Sequence, residues 1–248
     1  MEETGKNPIQ VAERLFQVIE RLAENGPMGI MDLSAELGFH KSATHRLVTS
    51  LQYMGYIRQD EESLKYALSL KFLEIGSKIL EQTNMASLIH PSLKKLSEQT
   101  GETVHLVRRE GTEAVYIDKV ESTVSSIRMV SRVGSRIPLY CSGVGKALLA
   151  ELPDPEIEDI WNSSEITSLT PYTVTSLSDL MDRIRGVREA GYAMDDEENE
   201  EGVRCIAVSI PDYHKEPVYA LSISAPVSRM TDARIAELPT DVLTFKKD

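Results

Sequence analysis

The chain has 248 residues, enough for two domains, and its 41% hydrophobic and 27% charged content is typical of a soluble globular protein. No apolar run reaches the length that a transmembrane helix needs, and the polar, acidic first residues are not expected to form a signal peptide. The two cysteines, Cys141 and Cys205, are too few for a disulfide scaffold, and free thiols favour a reducing cytoplasm.

The net charge of −12 argues at first against binding to nucleic acid, so the distribution of charge matters. Residues 1–80 contain nine Lys and Arg against eleven Asp and Glu, whereas residues 81–248 contain eighteen against twenty-eight. Between Glu36 and Asp60 the sequence has no carboxylate. An acidic protein with one acid-free segment can limit nonspecific binding to DNA and still make specific contacts.

The front of the chain predicts three helices. The first is capped by Asn7 and ends at Asn25. A short second helix over residues 31–37 ends at Gly38, and a third begins at Lys41. This is the spacing of a helix-turn-helix motif, with the third helix placed for the major groove of DNA.

The third helix is predicted to be amphipathic. Its apolar stripe, at steps of four, four and three, consists of Ala43, Leu47, Leu51 and Met54. The opposite face carries short hydrogen-bonding side chains and no acid. We expect four residues of this helix to face base edges and two to hold phosphates, which are Lys41, Ser42, Thr44 and His45, and Arg46 and Thr49, respectively.

Two strand-like segments, 56–58 and 65–68, follow the third helix and are joined by a polar turn. A hairpin in this position is a wing. The alternative is an ordinary helical hairpin whose polar face is only solvated. The spacing, the acid-free face and the hairpin together favour DNA binding.

Residues 69–82 and 85–99 predict two more helices, the second with a break or kink at Pro91. The apolar face of the first would pack on a partner chain or on its own domain. From residue 102 the hydrophobic period changes to two. Strands are predicted at 103–108, 114–120, 127–133, 203–210 and 217–225, and helices at 143–152, 155–161, 177–190 and from about 231. This order predicts an α+β domain built on one sheet.

Two segments have compositions that suggest a binding site for an anion or a metal ion. Each also has a purely structural interpretation. Residues 141–147 bring glycines to a helix N-terminus, where they would bind an anion or simply pack tightly; they lack the Walker A spacing of a nucleotide hydrolase. The acidic run 195–201 lacks the spacing of a calcium loop and is more typical of a solvated loop than of a metal site. Asp195 differs from the rest, because it lies beside a predicted strand and could point inward.

Polar side chains also occur on predicted strands. Cys205 lies in one strand, and Ser222 and Ser224 share one face of the next, where they need a backbone or ligand partner. The five histidines form no motif with a cysteine or serine. His105, on a strand, is more typical of a satisfied core histidine than of a catalytic base. We therefore expect no catalytic residue, no metal and no cofactor.

Several separated blocks of the sequence resemble the IclR family of bacterial transcriptional regulators, over residues 8–240. The blocks are residues 33–38 with 41–47, 65–68, 138–140 with 142–147, 191–192, 197–198, 202–207 and 221–224. Their order and spacing together make the resemblance specific. Ser209 and Pro211 depart from the family, which more often has Pro and an aromatic residue there.

The resemblance implies a winged helix-turn-helix DNA-binding domain at residues 1–68, a linker helix at 69–84 and a GAF-like antiparallel-sheet effector domain at 85–248. Such proteins are typically dimers, or dimers of dimers, that bind operators near catabolic operons, and a small organic acid changes operator affinity. The implied effector pocket consists of Ser126, Met129, Gly143, Val144, Asp195, Val203, Cys205, Ser222 and Ser224. Residues 126–129 and 133–140 are most similar to KdgR-type regulators, which answer to 2-keto-3-deoxygluconate.

The sequence thus leads to the hypothesis of a cytoplasmic repressor. The carboxylate of a keto acid would bind backbone N–H groups at Gly143 and Val144, its other oxygens would bond to Cys205 and the two serines, and Asp195 would accept from a ligand hydroxyl. The linker helix would transmit the conformational change caused by effector binding to the DNA-binding domain. The rival hypothesis is an enzyme that acts on a small keto acid in the same pocket, with the helix-turn-helix as an interaction module.

Overall fold

The structure is a computed structural model that describes residues 7–82, 84–122, 130–212 and 216–247. The chain forms two compact units, Met1–Gln82 and Thr83–Asp248. Within the described residues, none of the helices combines the length and the apolar character needed to cross a lipid bilayer.

The first unit contains three helices, a small hairpin and a fourth helix. Its elements are α1 (Gln10–Asn25), α2 (Ile30–Leu37), α3 (Lys41–Tyr53), β1 (Ile57–Gln59), β2 (Tyr66–Leu68) and α4 (Lys71–Gln82). The two strands are antiparallel with Ile57 opposite Leu68, and Met28 bridges to Tyr66 beside them. The predicted helix-turn-helix followed by a hairpin is therefore confirmed.

The core of this unit forms where the first three helices meet the hairpin. Its buried hydrophobic residues are Val18, Leu22, Met28, Leu33, Leu47, Val48, Leu51, Ile57 and Tyr66. Removing this apolar surface from water is the main contribution that holds the three helices together.

The turn between α2 and α3 depends on Gly38. This residue ends α2 with a φ of 65°, a left-handed conformation that glycine adopts without the steric cost of a Cβ atom. Its N–H donates to Ala35 O, and the N–H of Phe39 donates to Ser34 O at 3.0 Å. The last carbonyl groups of α2 thus fix the turn from which α3 begins.

The second unit is a six-stranded antiparallel sheet covered by helices on both faces. Its strands, in the spatial order β5-β4-β3-β8-β7-β6, are β3 (Thr103–Glu110), β4 (Glu113–Val120), β5 (Arg136–Pro138), β6 (Ala193–Asp196), β7 (Val203–Ile210) and β8 (Tyr219–Pro226). Its helices are α5 (Asn84–Thr100), α6 (Gly143–Leu149), α7 (Asp154–Ser163), α8 (Leu177–Ala190) and α9 (Asp232–Lys247). The α+β prediction for this part of the chain is confirmed.

Strand β8 shows how the sheet separates two cores. Leu221 and Ile223 pack with α5 and α9 on one face, whereas Ala220 packs with α6, α7 and α8 on the other. Successive side chains of a strand point to opposite faces. Ser222 and Ser224 therefore lie on the face covered by α6.

Two details differ from the prediction. The sequence predicts a strand at 127–133, of which 127–129 lie outside the described residues; 130–133 are not in a strand. A turn at 132–135 takes its place, closed by a hydrogen bond from the N–H of Ser135 to Arg132 O. After this turn the chain enters β5, which pairs with β4. Of the predicted break or kink at Pro91, no break is present: α5 continues through this residue, so the lost N–H donor does not end it.

Candidate functional site

The exposed side of α3 is the first candidate site. It carries five of the side chains predicted to contact DNA, which are Lys41, Ser42, His45, Arg46 and Thr49. The first four, with His40, line a shallow surface depression of about 720 Å³. Nδ1 of His45 lies 3.4 Å from Oγ1 of Thr49, one turn further along the helix. Because α3 contains two cations and no carboxylate, a phosphate backbone can approach this surface without repulsion.

Thr44 does not belong to this surface, and the prediction that it faces base edges is wrong. Its side chain is 0% exposed, and its hydroxyl donates to His40 O at 3.3 Å. The buried face that runs through Leu47 and Leu51 continues back to Thr44, while Ala43 is only half-buried. A helix repeats every 3.6 residues, so the stripe inferred from steps of four drifts by one position at its end.

The second candidate site begins as a row of polar side chains across the sheet. Asp195 on β6 lies directly opposite Cys205 on β7. Cys205 lies opposite Ser224 on β8, and Ser224 lies opposite Thr103 on β3. Opposite residues in antiparallel strands project to the same face. Strand pairing therefore aligns four polar side chains that are far apart in the sequence.

A second row lies beside the first and includes a histidine. Ser222 on β8 is opposite both Ala207 on β7 and His105 on β3. The start of α6 covers both rows, since a Cβ atom on Gly143 would lie 3.5 Å from the Cβ atoms of Ala207 and Asp195. The start of α6 therefore lies directly over the two rows.

The first turn of α6 brings backbone N–H groups to this region. Ser142 caps the helix, because its Oγ accepts from the N–H of Gly145 at 3.0 Å and its carbonyl oxygen accepts from Lys146. The N–H groups of Gly143 and Val144 lie outside the hydrogen bonds described for this turn. Such groups have no acceptor within the helix and are suited to bind an oxygen atom.

The structure places seven of the nine implied pocket residues on this face of the sheet or at the start of α6. They are Gly143, Val144, Asp195, Val203, Cys205, Ser222 and Ser224. Ser126 and Met129 lie outside the described residues. A role in binding an effector stays a prediction for all nine.

Asp195 is the titratable acid of the site. Its side chain is almost fully buried, Oδ1 accepts from the N–H of Glu198 at 2.8 Å, and Oδ2 accepts from Cys205 Sγ at 3.5 Å. Burial raises the pKa of Asp195 to about 6, because removal from water disfavours the charged form, and the positive charge of Lys146 only partly offsets this. Asp195 therefore changes its charge close to pH 6.

Neither cysteine is activated as a nucleophile. Burial, reinforced by the charge of Asp195, raises the pKa of Cys141 to about 12. The same two causes raise the pKa of Cys205 well above its usual value. Because the thiolate is the reactive form, both side chains stay protonated and neither supplies the nucleophile of covalent catalysis.

His105 belongs to this surface, although the sequence did not place it there. Its ring Nδ1 lies 3.4 Å from Ser224 Oγ and 3.5 Å from Ser222 Oγ, and its Nε2 lies 2.7 Å from Ser131 Oγ. Burial, followed by the charge of Lys119, lowers the pKa of His105 to about 3, so the ring is neutral. It is a hydrogen-bonded core histidine, as expected, but the pairing of β3 with β8 puts it beside the two serines.

The acidic run also takes part in a buried ion pair that was not predicted from the sequence. Nζ of Lys146 lies 2.5 Å from Oε1 of Glu198, and both side chains are buried. Thr173 donates to Glu198 O at 2.6 Å, and the N–H of Gly202 donates to the Glu197 carboxylate at 2.9 Å. The interpretation as a solvated loop is therefore wrong for Glu198. The described residues contain no cluster of three His, Cys, Asp or Glu that could hold a metal ion.

Comparison with known proteins agrees with this arrangement. Residues 11–61 match the model of the IclR helix-turn-helix domain, and residues 77–247 match that of the C-terminal domain of the bacterial transcriptional regulator IclR. The acetate operon repressor of Salmonella typhimurium (strain LT2) is 36% identical over 97% of this chain and 88% of its own. The regulator KdgR of Escherichia coli (strain K12) is 36% identical over 94% of this chain and 89% of its own.

A solved structure is similar over nearly the whole chain. The crystal structure of the Thermotoga maritima IclR has a TM-score of 0.79 at 33% identity and covers 96% of this chain and 95% of that one. These relatives are named regulators and repressors, so the chain is a transcriptional regulator and not an enzyme. It belongs to the IclR family of bacterial transcriptional regulators.

Proposed function

We propose that this protein is a cytoplasmic repressor that binds operator DNA through α3, and that a small organic acid bound at the polar rows of the second unit changes its affinity for that DNA. The observation that carries the proposal is that one chain of this family contains both an exposed, acid-free helix face and a buried polar surface beside a helix N-terminus. Coupling between the two requires that the acid bind one state of the protein more tightly than another.

Five exposed residues of α3 would contact DNA. In a helix-turn-helix motif the start of the second helix enters the major groove. Lys41, Ser42 and His45 would therefore reach base edges, while Arg46 and Thr49 would hold phosphates. Their exposure and the lack of a carboxylate on α3 support this assignment.

The organic acid would bind between α6 and the two polar rows. Its carboxylate would accept hydrogen bonds from the N–H groups of Gly143 and Val144. Its keto or hydroxyl oxygens would bond to Ser222 and Ser224, beside Cys205. Both serines are buried and share His105 Nδ1 as a neighbour, and a hydroxyl group both donates and accepts, so the pair keeps hydrogen-bonding capacity for a ligand. Asp195 would accept from a hydroxyl group of the ligand, which a carboxyl group does in either protonation state.

A keto acid is the chemical class that we propose, with 2-keto-3-deoxygluconate as the first candidate. This choice rests on the similarity of residues 126–129 and 133–140 to KdgR-type regulators. Overall identity does not choose an effector, since KdgR of Escherichia coli and the acetate operon repressor of Salmonella typhimurium are equally similar to this chain.

We further propose that the protein acts as a homodimer or a dimer of dimers. Leu70, Leu73 and Ile79, at the start of and along α4, are 81%, 69% and 59% exposed, and exposed apolar surface of this kind marks interaction sites. A dimer presents two DNA-binding domains at the fixed spacing that the two half-sites of a two-fold symmetric operator require. Residues 69–84 would then link a DNA-binding domain, 1–68, to an effector domain, 85–248. This linker would transmit effector binding as a change in the distance between the two DNA-binding domains of the dimer.

Fluorescence anisotropy with labelled intergenic DNA from beside the gene tests both parts of the proposal. Binding should weaken steeply as salt increases, and 2-keto-3-deoxygluconate should shift the binding curve. Failure to bind this DNA at low salt would contradict the DNA-binding assignment. Binding that no keto acid alters would contradict the effector assignment.

A matched pair of variants locates the DNA contact. Arg46→Ala should weaken binding. It should also reduce the slope of log affinity against log salt concentration by about one, because one phosphate contact is lost. Lys94→Ala, which also removes one exposed positive charge but from α5, should change neither. Equal behaviour of the two variants would show that α3 is not the DNA-binding surface.

A further inference from the structure

We propose that His105 sets the direction of the hydrogen bonds at the candidate effector site. In this arrangement Nδ1–H donates to Ser222 and Ser224, so the serine pair keeps a hydroxyl hydrogen to donate to the ligand. This part of the site would then select acceptor oxygens, such as those of a carbonyl or carboxylate group, over O–H and N–H groups. The inference rests on the proposed function, because it concerns the ligand of the same site.

The imidazole ring has neighbours at both nitrogens. Nδ1 faces the hydroxyls of Ser222 and Ser224, and Nε2 faces the hydroxyl of Ser131. A neutral imidazole has one N–H donor and one acceptor nitrogen. Ser131 and the serine pair must therefore play opposite roles. Because His105 is buried and its pKa is lowered to about 3, the ring keeps one proton throughout the neutral pH range.

The distance on the Nε2 side favours a hydroxyl donor. Ser131 Oγ lies 2.7 Å from Nε2, whereas an N–H donor bonded to oxygen usually lies at about 2.9–3.0 Å and an O–H donor closer. Ser131 is accordingly assigned as the donor to Nε2. The ring proton is then on Nδ1.

The charge nearest this end of the ring leads to the same assignment. Lys119 lies opposite His105 in the pairing of β3 with β4, and its Nζ donates to Ser131 O at 2.8 Å. The ammonium group therefore lies on the Nε2 side, where it favours a lone pair and disfavours an N–H group. Glu121 lies 3.2 Å from the same ammonium group, but Lys119 is the charge that lowers the pKa of His105.

The geometry on the Nδ1 side fits a single shared donor. The distances to Ser224 Oγ and Ser222 Oγ are 3.4 and 3.5 Å, which are the long and nearly equal distances of a three-centre hydrogen bond. Each serine oxygen is then an acceptor for His105. The two hydroxyls lie 3.5 Å from each other, so one hydrogen can be shared within the pair while the other remains available to a ligand. In a buried site an unmatched donor is costly, and an oxygen atom of the ligand would accept from it.

NMR of the wild-type protein labelled with nitrogen-15 histidine tests the tautomer without any ligand. The signals of His105 are identified by their loss in His105→Asn. Nδ1 should have the shift of a protonated nitrogen and Nε2 that of an acceptor, and neither should change across the neutral pH range. The reverse assignment, or a ring that titrates in this range, would overturn the proposal.

Two variants of His105 test the consequence for binding, measured by calorimetry with 2-keto-3-deoxygluconate. His105→Asn keeps an N–H donor near the position of Nδ1 and should stay within about threefold of the wild-type affinity, whereas His105→Leu should lose about tenfold. Equal binding by His105→Leu and wild type, or an equal loss in both variants, would overturn the proposal.

Thermal melting shows whether each variant folds; if His105→Leu does not, the NMR result on the wild-type protein decides. If wild-type protein binds no keto acid, the proposed function fails, and the NMR spectrum still tells which nitrogen has the proton.

Discussion

The ammonium group of Lys146 lies 2.5 Å from the carboxylate of Glu198, in a region where the two side chains are only 1% and 3% exposed. Each charge has lost its hydration and is stabilised mainly by the other. Lys146→Met would leave the Glu198 charge buried and unpaired. This variant should therefore lower the free energy of unfolding by about 3–5 kcal/mol, measured by urea denaturation.

The double variant Lys146→Met with Glu198→Leu removes both charges and serves as the control. It should recover most of the stability lost by the single variant, because replacing a whole buried pair by apolar groups is often neutral. A single variant as stable as the wild type would mean that the pair contributes little.

Two glycines of α6 should respond differently to the same substitution. A Cβ atom on Gly145 would overlap backbone atoms of Leu139, whereas a Cβ atom on Gly143 would meet Ala207 and Asp195 at an ordinary 3.5 Å. Gly145→Ala should destabilise the protein by about 3 kcal/mol or more, since backbone cannot yield as a flexible side chain does. Gly143→Ala should have little effect on thermal unfolding, and equal melting temperatures for the two would contradict this prediction.

The buried carboxyl of Asp195 predicts a pH dependence of stability. Its pKa is about 6 in the folded protein against an ordinary 3.8, so the folded state binds a proton more tightly than the unfolded state. Stability should therefore decrease as pH rises from about 4 to about 6, by up to about 3 kcal/mol in total, and stay at the lower value above that. Asp195→Asn should lack this contribution in urea titrations on either side of pH 6; an unchanged profile would refute it.

The same carboxyl predicts a pH dependence of effector binding. An anionic ligand next to ionised Asp195 is repelled, and protonation removes the repulsion. Calorimetric affinity for 2-keto-3-deoxygluconate should therefore increase as pH falls through about 6, the value that burial imposes on the pKa of Asp195. The affinity of Asp195→Asn should change little over the same range. Wild-type affinity that weakens toward acid would be evidence against binding of an anion beside Asp195.

Thr44 and Thr49 form a matched pair on α3. Thr44 is 0% exposed and Thr49 is exposed. Thr44→Ala should reduce stability by about 1 kcal/mol through a small cavity without removing a DNA contact. Thr49→Ala should leave stability unchanged and weaken DNA binding in the anisotropy assay. The opposite pattern would show that α3 is oriented differently on DNA.

The exposed apolar side chains near α4 predict self-association. Leu73→Ser should shift sedimentation velocity profiles toward a smaller species at micromolar concentration, because it removes apolar surface from the proposed interface. Leu169→Ser, at a residue that is 47% exposed in the second unit, is the control and should not. A monomeric wild-type protein would rule out this interface.

Local patterns were sufficient for the kinds of element and for most of their positions. The 3.6-residue and two-residue periods, the left-handed turn at Gly38 and the acid-free stretch of α3 depend on residues that are close in sequence, so they could be recognised there. The helix-turn-helix, the wing and the α+β second unit were predicted in this way. Residues 130–133 misled the prediction, because their alternation leads into a turn whose hydrogen bonds depend on β4.

The tertiary structure alone decided which strands are neighbours and which side chains are buried. Asp195, Cys205, Ser224 and Thr103 form one row only because β6, β7, β8 and β3 pair in this order, and that same pairing brings His105 to the two serines. Thr44 is fully buried by the packing of the first unit, and Lys146 meets Glu198 because α6 packs against the acidic turn. Pairing and burial are interactions between residues distant in sequence, and no periodicity within one segment contains them.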